Sequence, residues 1–261
     1  MNRLPSLFIS HGAPTFALEP GTAGSQLTAL GRELQRPEAV LVVSPHWITA
    51  EPRVATTARP RTIHDFGGFG AALFDITYPA DGHPALAART IEILRAAGWP
   101  VAADPQRGLD HGAWVPLLHL YPEADVPVFQ VSMPYSLDAA SAFEFGRTLA
   151  PLASEGVLIV GSGSLTHNLH ALRFGMERDE PSAEFARWVR ESAARGDRER
   201  VLRALEIAPH ARRAHPTPEH YLPLPIAAGA APVDEAEVLE GGMSYGVLAM
   251  DSFVFGRRLH C

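Results

Sequence analysis

Hydrophobic positions along the chain gather into short continuous runs separated by stretches with helical spacing. Ser6–Ser10, Ala39–Ser44, Val126–Met133, Gly156–Gly161 and Gly246–Phe255 are apolar and rich in Val, Ile and Phe. Most are bounded by turn residues, which predicts strands. Between them, Pro84–Ala97 sets Leu86, Thr90, Ile91 and Leu94 on one face and stops at Gly98. Gln26–Gln35, Ala139–Ala150 and Ser182–Arg203 predict further helices; the last is amphipathic through Phe185, Trp188, Val189 and Val201, with Gly196 as a candidate break. Strands that are apolar on both faces need cover on both faces. Strand–helix alternation therefore predicts an α/β fold, a single domain with a central mostly parallel (mixed) sheet flanked by helices. The last strand is expected antiparallel at an edge. Ala58–Gly70 and Ala208–Ala228 are the long irregular stretches, and long loops in compact domains are often functional. With no repeat, low-complexity segment or long linker, residues 1–261 read as one domain.

Composition narrows the function classes. At 261 residues and 46% hydrophobic content the chain can bury a sizeable core. A formal net charge of −7 argues against nucleic acid or an anionic membrane as partner. The arginines from Arg187 to Arg203 are interleaved with Glu191, Asp197 and Glu199, as on a solvated helix face. No apolar run approaches the roughly 20 residues of a membrane span, and Met1–Pro5 carries no signal-peptide hydrophobic region. The one cysteine, Cys261, excludes an intramolecular disulfide. A soluble cytoplasmic protein is the expectation.

The chemistry lies in the histidines. Of twelve, His11 follows Phe8-Ile9-Ser10 and His46 follows Val42-Val43-Ser44-Pro45, each just past a buried strand. Ligands of open α/β sheets bind outside the carboxyl ends of the strands, and imidazole is the commonest protein ligand for mid-series divalent metals. A lone histidine after a strand is more often a hydrogen-bonded loop residue; two so placed within the first fifth of the chain raise the metal reading. His111, in Asp110-His111-Gly112-Ala113-Trp114, and His167, past Gly161-Ser162-Gly163-Ser164, stand in similar contexts. His220 lies in Pro218-Glu219-His220-Tyr221, where Glu219 is a rival ligand. Gly161–Ser164 lacks the lysine and spacing of a phosphate loop, and reads instead as a tight turn aiming His167 into the cleft. His64, beside Asp65 in an aromatic, glycine-hinged loop, is a candidate to line a substrate pocket. His83, His119, His170, His210, His215 and His260 read as surface or structural.

Taken together, Ser10–Pro14, Ser44–Trp47, Ile63–Phe66, Asp110–Trp114, Gly161–Asn168 and Glu219–Leu224 resemble the 4,5-DOPA-extradiol-dioxygenase-like family. That family belongs to the class III extradiol ring-cleaving dioxygenases, related to the protocatechuate 4,5-dioxygenase catalytic subunit. The resemblance runs in order along nearly the whole chain, including Gly242–Gly246. It implies an extradiol-dioxygenase-like fold and an oxidoreductase acting on a catechol-type aromatic and O₂. It implies one divalent metal held by His11, His46 and His220; the wider superfamily usually has a glutamate at the third position. His167 matches a catalytic second-sphere histidine, and His111 one that lines the substrate site. His167 is a further candidate ligand of the empty site. His64, Trp47 and Tyr221 are the candidates for substrate contact.

The implied chemistry needs Fe(II) with open positions. Three neutral imidazoles leave the site dipositive, which favours a catecholate dianion. An imidazole with a pKa near roughly 6.5 can take and return the proton, and His167 is assigned that role, with His111 hydrogen-bonding oxygen or the substrate hydroxyl. The same histidines should hold Zn²⁺ as readily. A zinc hydrolase and a non-catalytic binding protein on this fold are the rival readings. Substrate identity and oligomeric state, including a homodimer, stay open at this level.

Overall fold

A computed structural model of the chain describes residues 3–172 and 178–257; His260 and Cys261 lie outside the described residues. Six strands form the central sheet: β1 (Ser6–Ser10), β2 (Ala39–Val43), β3 (Val128–Gln130), β4 (Val157–Gly163), β5 (Ala236–Leu239) and β6 (Ser252–Phe255). Their spatial order is β3-β2-β4-β1-β6-β5. The first four are mutually parallel, with Val42 opposite Val160 and Ser10 opposite Gly163. β6 runs antiparallel to β1, and β5 antiparallel to β6. The carboxyl ends of the parallel strands therefore open on one side of the sheet, where His11, His46 and His167 emerge.

The helices are α1 (Gly21–Glu33), α2 (Pro84–Ala96), α3 (His111–Leu120), α4 (Ala139–Leu149), α5 (Glu180–Ala194), α6 (Arg198–Ile207), α7 (Ala211–Ala214) and α8 (Pro223–Ala230). One face of the sheet, through Leu7, Ile9, Val40, Val42 and Val160, packs on Leu27 and Leu30 of α1 and Trp114 and Leu117 of α3. The opposite face of β2 and β4, through Leu41, Val43 and Ile159, packs on Ile91 and Leu94 of α2, Phe145 of α4 and Ile226 of α8. Phe8 and Phe253 meet α5, α6 and α8 in a third cluster. Burial on both faces explains why these strands read as unbroken apolar runs.

Several elements differ from the sequence expectations. Ser182–Arg203 is two helices, because Gly196 adopts a left-handed φ of +67° between α5 and α6. Only residues 128–130 of Val126–Met133 join the main sheet; Met133–Pro134 pairs instead with Ile48–Thr49. Gly246–Phe255 is also divided: Leu248–Ala249 pairs with Met243–Ser244, and β6 is interior because β5 covers it. α3 and α8 were not apparent from the sequence. Both are buried almost all round, so neither carries the polar face that helical periodicity requires.

Candidate metal centre

Five histidines converge at the strand ends, each placed by a different device. His11 leaves β1 with its N–H donated to the Gly163 carbonyl (2.9 Å). His46 closes a turn after β2, its N–H donated to Ser44 Oγ (3.2 Å). His111 is the first residue of α3, whose N-cap Asp110 accepts from Ala113 N. His167 donates its N–H to the Ala214 carbonyl (2.8 Å). His220 precedes α8, and its carbonyl accepts from Ser164 N (2.9 Å).

The Gly161-Ser162-Gly163 segment is not a turn aiming His167. It is the end of β4, and its glycines admit another backbone. A Cβ at Gly163 would lie 2.3 Å from the His220 carbonyl oxygen, and one at Gly161 2.1 Å from that of Pro223. Glycine is required there for close approach, and that approach delivers His220.

Hydrogen bonds determine how the rings face. Ser162 Oγ donates to the Gly112 carbonyl, so it accepts from His11 Nδ1 (3.0 Å). His11 Nδ1 therefore carries the proton and Nε2 the lone pair. His46 Nδ1 sits 3.5 Å from Asp65 Oδ2, which favours the same tautomer. The two Nε2 atoms face each other at 3.1 Å. Burial, reinforced by neighbouring histidines, pushes the His11 pKa well below its usual value and brings His46 to about 4, so a shared proton does not relieve this contact at neutral pH. Two converging lone pairs are what a bound cation resolves.

One nitrogen each from His11, His46 and His111 forms a set within 4.8 Å. His220 lies outside that trio, its ring centre 5.5 Å from that of His11 and 5.2 Å from that of His46. Both its ring nitrogens are buried without a hydrogen bond, and burial holds its pKa to about 3. His167 stacks on His220 at 3.4 Å between centres and 6° between planes. Burial also brings His167 to about 4, opposed by the charge of Glu219. Neutral, buried, imidazole-rich and in part unpartnered, the set fits a mid-series divalent metal.

These five histidines line a cavity of about 720 Å³, within the usual range for small-molecule sites. Its apolar wall includes Phe66, Phe69, Leu169, Leu172, Tyr245 and Leu248. His64, Trp47 and Tyr221 are not among the residues that line it. His64 Nε2 donates to the Ile76 carbonyl (3.0 Å). Trp47 is buried, with the Arg107 guanidinium 4.9 Å from its ring centre. Tyr221 is fully buried, its hydroxyl donated to the Val201 carbonyl (2.7 Å). Glu219 Oε1 lies 3.7 Å from His220 Nδ1, and Glu219 is not a wall residue.

Four further residues belong to the site. Asp65 faces His46 and His111, Ser162 orients His11, and Phe66 and Phe69 supply aromatic wall. The glycine-hinged aromatic loop was the signal for the phenylalanines. Nothing local marks Ser162 as the partner of a histidine 151 residues away.

Comparison with known proteins agrees with this geometry. The family described as the catalytic LigB subunit of aromatic ring-opening dioxygenase matches residues 5–256. Proteins named 4,5-DOPA dioxygenase extradiol are 40% identical in Beta vulgaris over 256 residues (96% of each chain) and in Escherichia coli K12 over 260 residues (97% of this chain, 95% of the relative). The Portulaca grandiflora protein of the same name is 40% identical over 257 residues (96% and 95%). A crystal structure of an uncharacterized Escherichia coli K12 protein superposes with a TM-score of 0.80 at 34% identity, covering 97% of this chain and all of the other. With its histidines gathered at the strand ends and its relatives matched end to end, the chain belongs to the LigB family and is an aromatic ring-opening dioxygenase.

Proposed function

We propose that the chain cleaves a catechol-type, DOPA-like ring beside its hydroxyls, with Fe(II) held by His11, His46 and His220. The observation that carries this reading is the convergence of the His11 and His46 Nε2 lone pairs at 3.1 Å beside an aromatic-walled cavity. The substrate class rests on the names of the relatives. His220 is favoured over His111 as third ligand because neither of its buried ring nitrogens makes a hydrogen bond. His111 Nδ1 makes none either, but it faces Asp65 Oδ1 at 3.1 Å, closer than Glu219 Oε1 comes to His220 Nδ1 at 3.7 Å. When bound, Fe(II) supplies redox chemistry and open coordination positions. Zn²⁺ fits the same donors without redox capability, so the zinc form is expected to be well folded and inactive. We place the enzyme in the cytoplasm, whose reducing poise suits ferrous iron.

The protein's own groups divide the remaining work. His167, neutral at neutral pH, accepts a catechol proton and returns it later. His111, its Nδ1 turned to Asp65, presents Nε2 as an acceptor for a substrate hydroxyl. Phe66, Phe69, Leu172 and Leu248 hold the ring and exclude water.

Anaerobic Fe(II) loading, followed by catechol, DOPA or protocatechuate and then air, should yield a yellow semialdehyde. His220→Ala is expected to lose the metal, while His111→Ala and His167→Ala keep it and lose most turnover. Metal retained by His220→Ala and lost by His111→Ala would reverse the ligand assignment. Hydrolysis of esters or amides by the zinc form, with no ring cleavage by the iron form, would overturn the proposal.

A further inference from the structure

We propose that Asp65 is a positioning residue, a single carboxylate that sets the tautomer and aim of both His46 and His111 toward the metal centre. The inference rests on the metal-centre reading above. Asp65 Oδ1 accepts the His111 backbone N–H (2.9 Å) and lies 3.1 Å from His111 Nδ1. Oδ2 lies 3.5 Å from His46 Nδ1. The carboxylate side chain is only 23% exposed. One group thus faces the rear nitrogen of two rings whose centres are 3.9 Å apart. A carboxylate has only acceptors, so its charge favours a proton on the Nδ1 of each ring, by proximity rather than through a formed hydrogen bond in His111, and leaves each Nε2 lone pair for the centre. Outer partners of this kind orient metal-binding histidines and raise their basicity.

Asp65 is also well anchored for such a role. Its loop is tied to α3 and the segment before it by Trp114 Nε1 donating to the Ile63 carbonyl (2.9 Å), and by the exchange Ile63 N to Leu109 O and Leu109 N to Arg61 O (2.8 Å each). None of these bonds uses the Asp65 side chain, so the loop should survive its replacement. The adjoining Phe66 to Gly70 line the cavity. Asp65 therefore joins the substrate wall to the histidines. On the far side of His46, Arg107 Nη2 donates to the His46 carbonyl (3.2 Å) and to Asp110 Oδ2 (2.7 Å). That brace holds the His46 backbone and leaves its ring to Asp65.

Asp65→Asn and Asp65→Ala separate tautomer control from space filling. In Asp65→Asn the amide oxygen must serve the His111 N–H, which is always a donor, so the NH₂ group faces His46 Nδ1. His46 is then driven to carry its proton on Nε2, pointing at the centre. In Asp65→Ala, water can fill the space and the rings choose their own tautomer.

The test is titration of metal-free wild type and both variants with Co²⁺, reading the dissociation constant by chelator competition and the visible d–d bands, with Tm as the folding control. The expected result is a loss of affinity of about 10–100-fold in Asp65→Asn, a smaller loss in Asp65→Ala, and shifted d–d bands in Asp65→Asn. An Asp65→Asn variant with wild-type affinity and bands overturns the proposal. So does Asp65→Ala weaker than Asp65→Asn in step with a lowered Tm, because that order marks a packing role. A wild type that takes up no Co²⁺ overturns the metal-centre reading, and this proposal with it.

Discussion

Gly163→Ala should damage the metal centre without touching a histidine. The added Cβ would sit 2.3 Å from the His220 carbonyl oxygen, 3.0 Å from Phe8 Cε2 and 3.2 Å from Pro223 Cγ. Carbon–oxygen contacts normally begin near about 3.3 Å, so the carbonyl must retreat by roughly 1 Å. β4 cannot yield, because it is paired with β1 and β2 on both sides. The segment carrying His220 has to move, straining the Ser164 N to His220 O bond of 2.9 Å. Overpacking of this kind costs about 1–3 kcal/mol and a lost hydrogen bond about 1 more. At about 2–4 °C per kcal/mol the Tm should fall by roughly 4–16 °C. Zinc–nitrogen bonds tolerate only about 0.2 Å of error, so metal affinity should fall by more than the roughly 10–100-fold typical of outer-shell changes. Chelator competition with Zn²⁺ and a thermal melt of the metal-free protein measure the two effects. An unchanged zinc affinity in a protein whose Tm has fallen as expected would refute His220 as a ligand.

Acid should destabilise the metal-free protein through its neutral buried histidines. His215 donates Nε2–H to the Leu165 carbonyl (2.9 Å), and burial brings its pKa to about 4. The unfolded chain, with His near 6.5, binds more protons in this window, so stability is full above about pH 6.5 and falls as pH drops toward 4. Between pH 7 and 4.5 this one group should remove about 2–3 kcal/mol, and a flat stability in urea melts over that range would contradict the assignment. At the cavity wall, Phe66 has its ring centre 5.6 Å from those of both His111 and Phe69. Phe66→Ala should raise KM about tenfold with kcat and metal content little changed, as expected for lost uniform binding; a fall in kcat at constant KM would instead place Phe66 in the chemistry.

Much of the fold was legible because its signal is local. β1, β2 and β4 are buried on both faces, so they stand out as apolar runs whatever their neighbours. Helices with one wet face, such as α2 and α4, show periodicity. α3 and α8 have almost no wet face, which hid them, and the edge strand β5 is half exposed and short. The site follows the same division. His11, His46 and His167 could be found from strand ends, whereas His64, Trp47 and Tyr221, expected at the substrate, are not among the cavity-lining residues. Trp47 and Tyr221 each adjoin a key histidine in sequence and His64 adjoins Asp65, but their rings or polar atoms are engaged with Arg107, Val201 and Ile76.

By itself the sequence determined that histidines stand at the ends of buried parallel strands, because burial and strand direction are properties of a few adjacent residues. Tertiary structure decided which imidazoles face one another and which nitrogen each presents. Those choices depend on Ser162 reaching His11, Asp65 reaching His46 and His111, and Gly163 admitting the His220 backbone. Contacts between groups so far apart in the chain leave no periodicity behind. A lone pair's direction is set by its hydrogen-bond partner, and the partner is known only once the chain has folded.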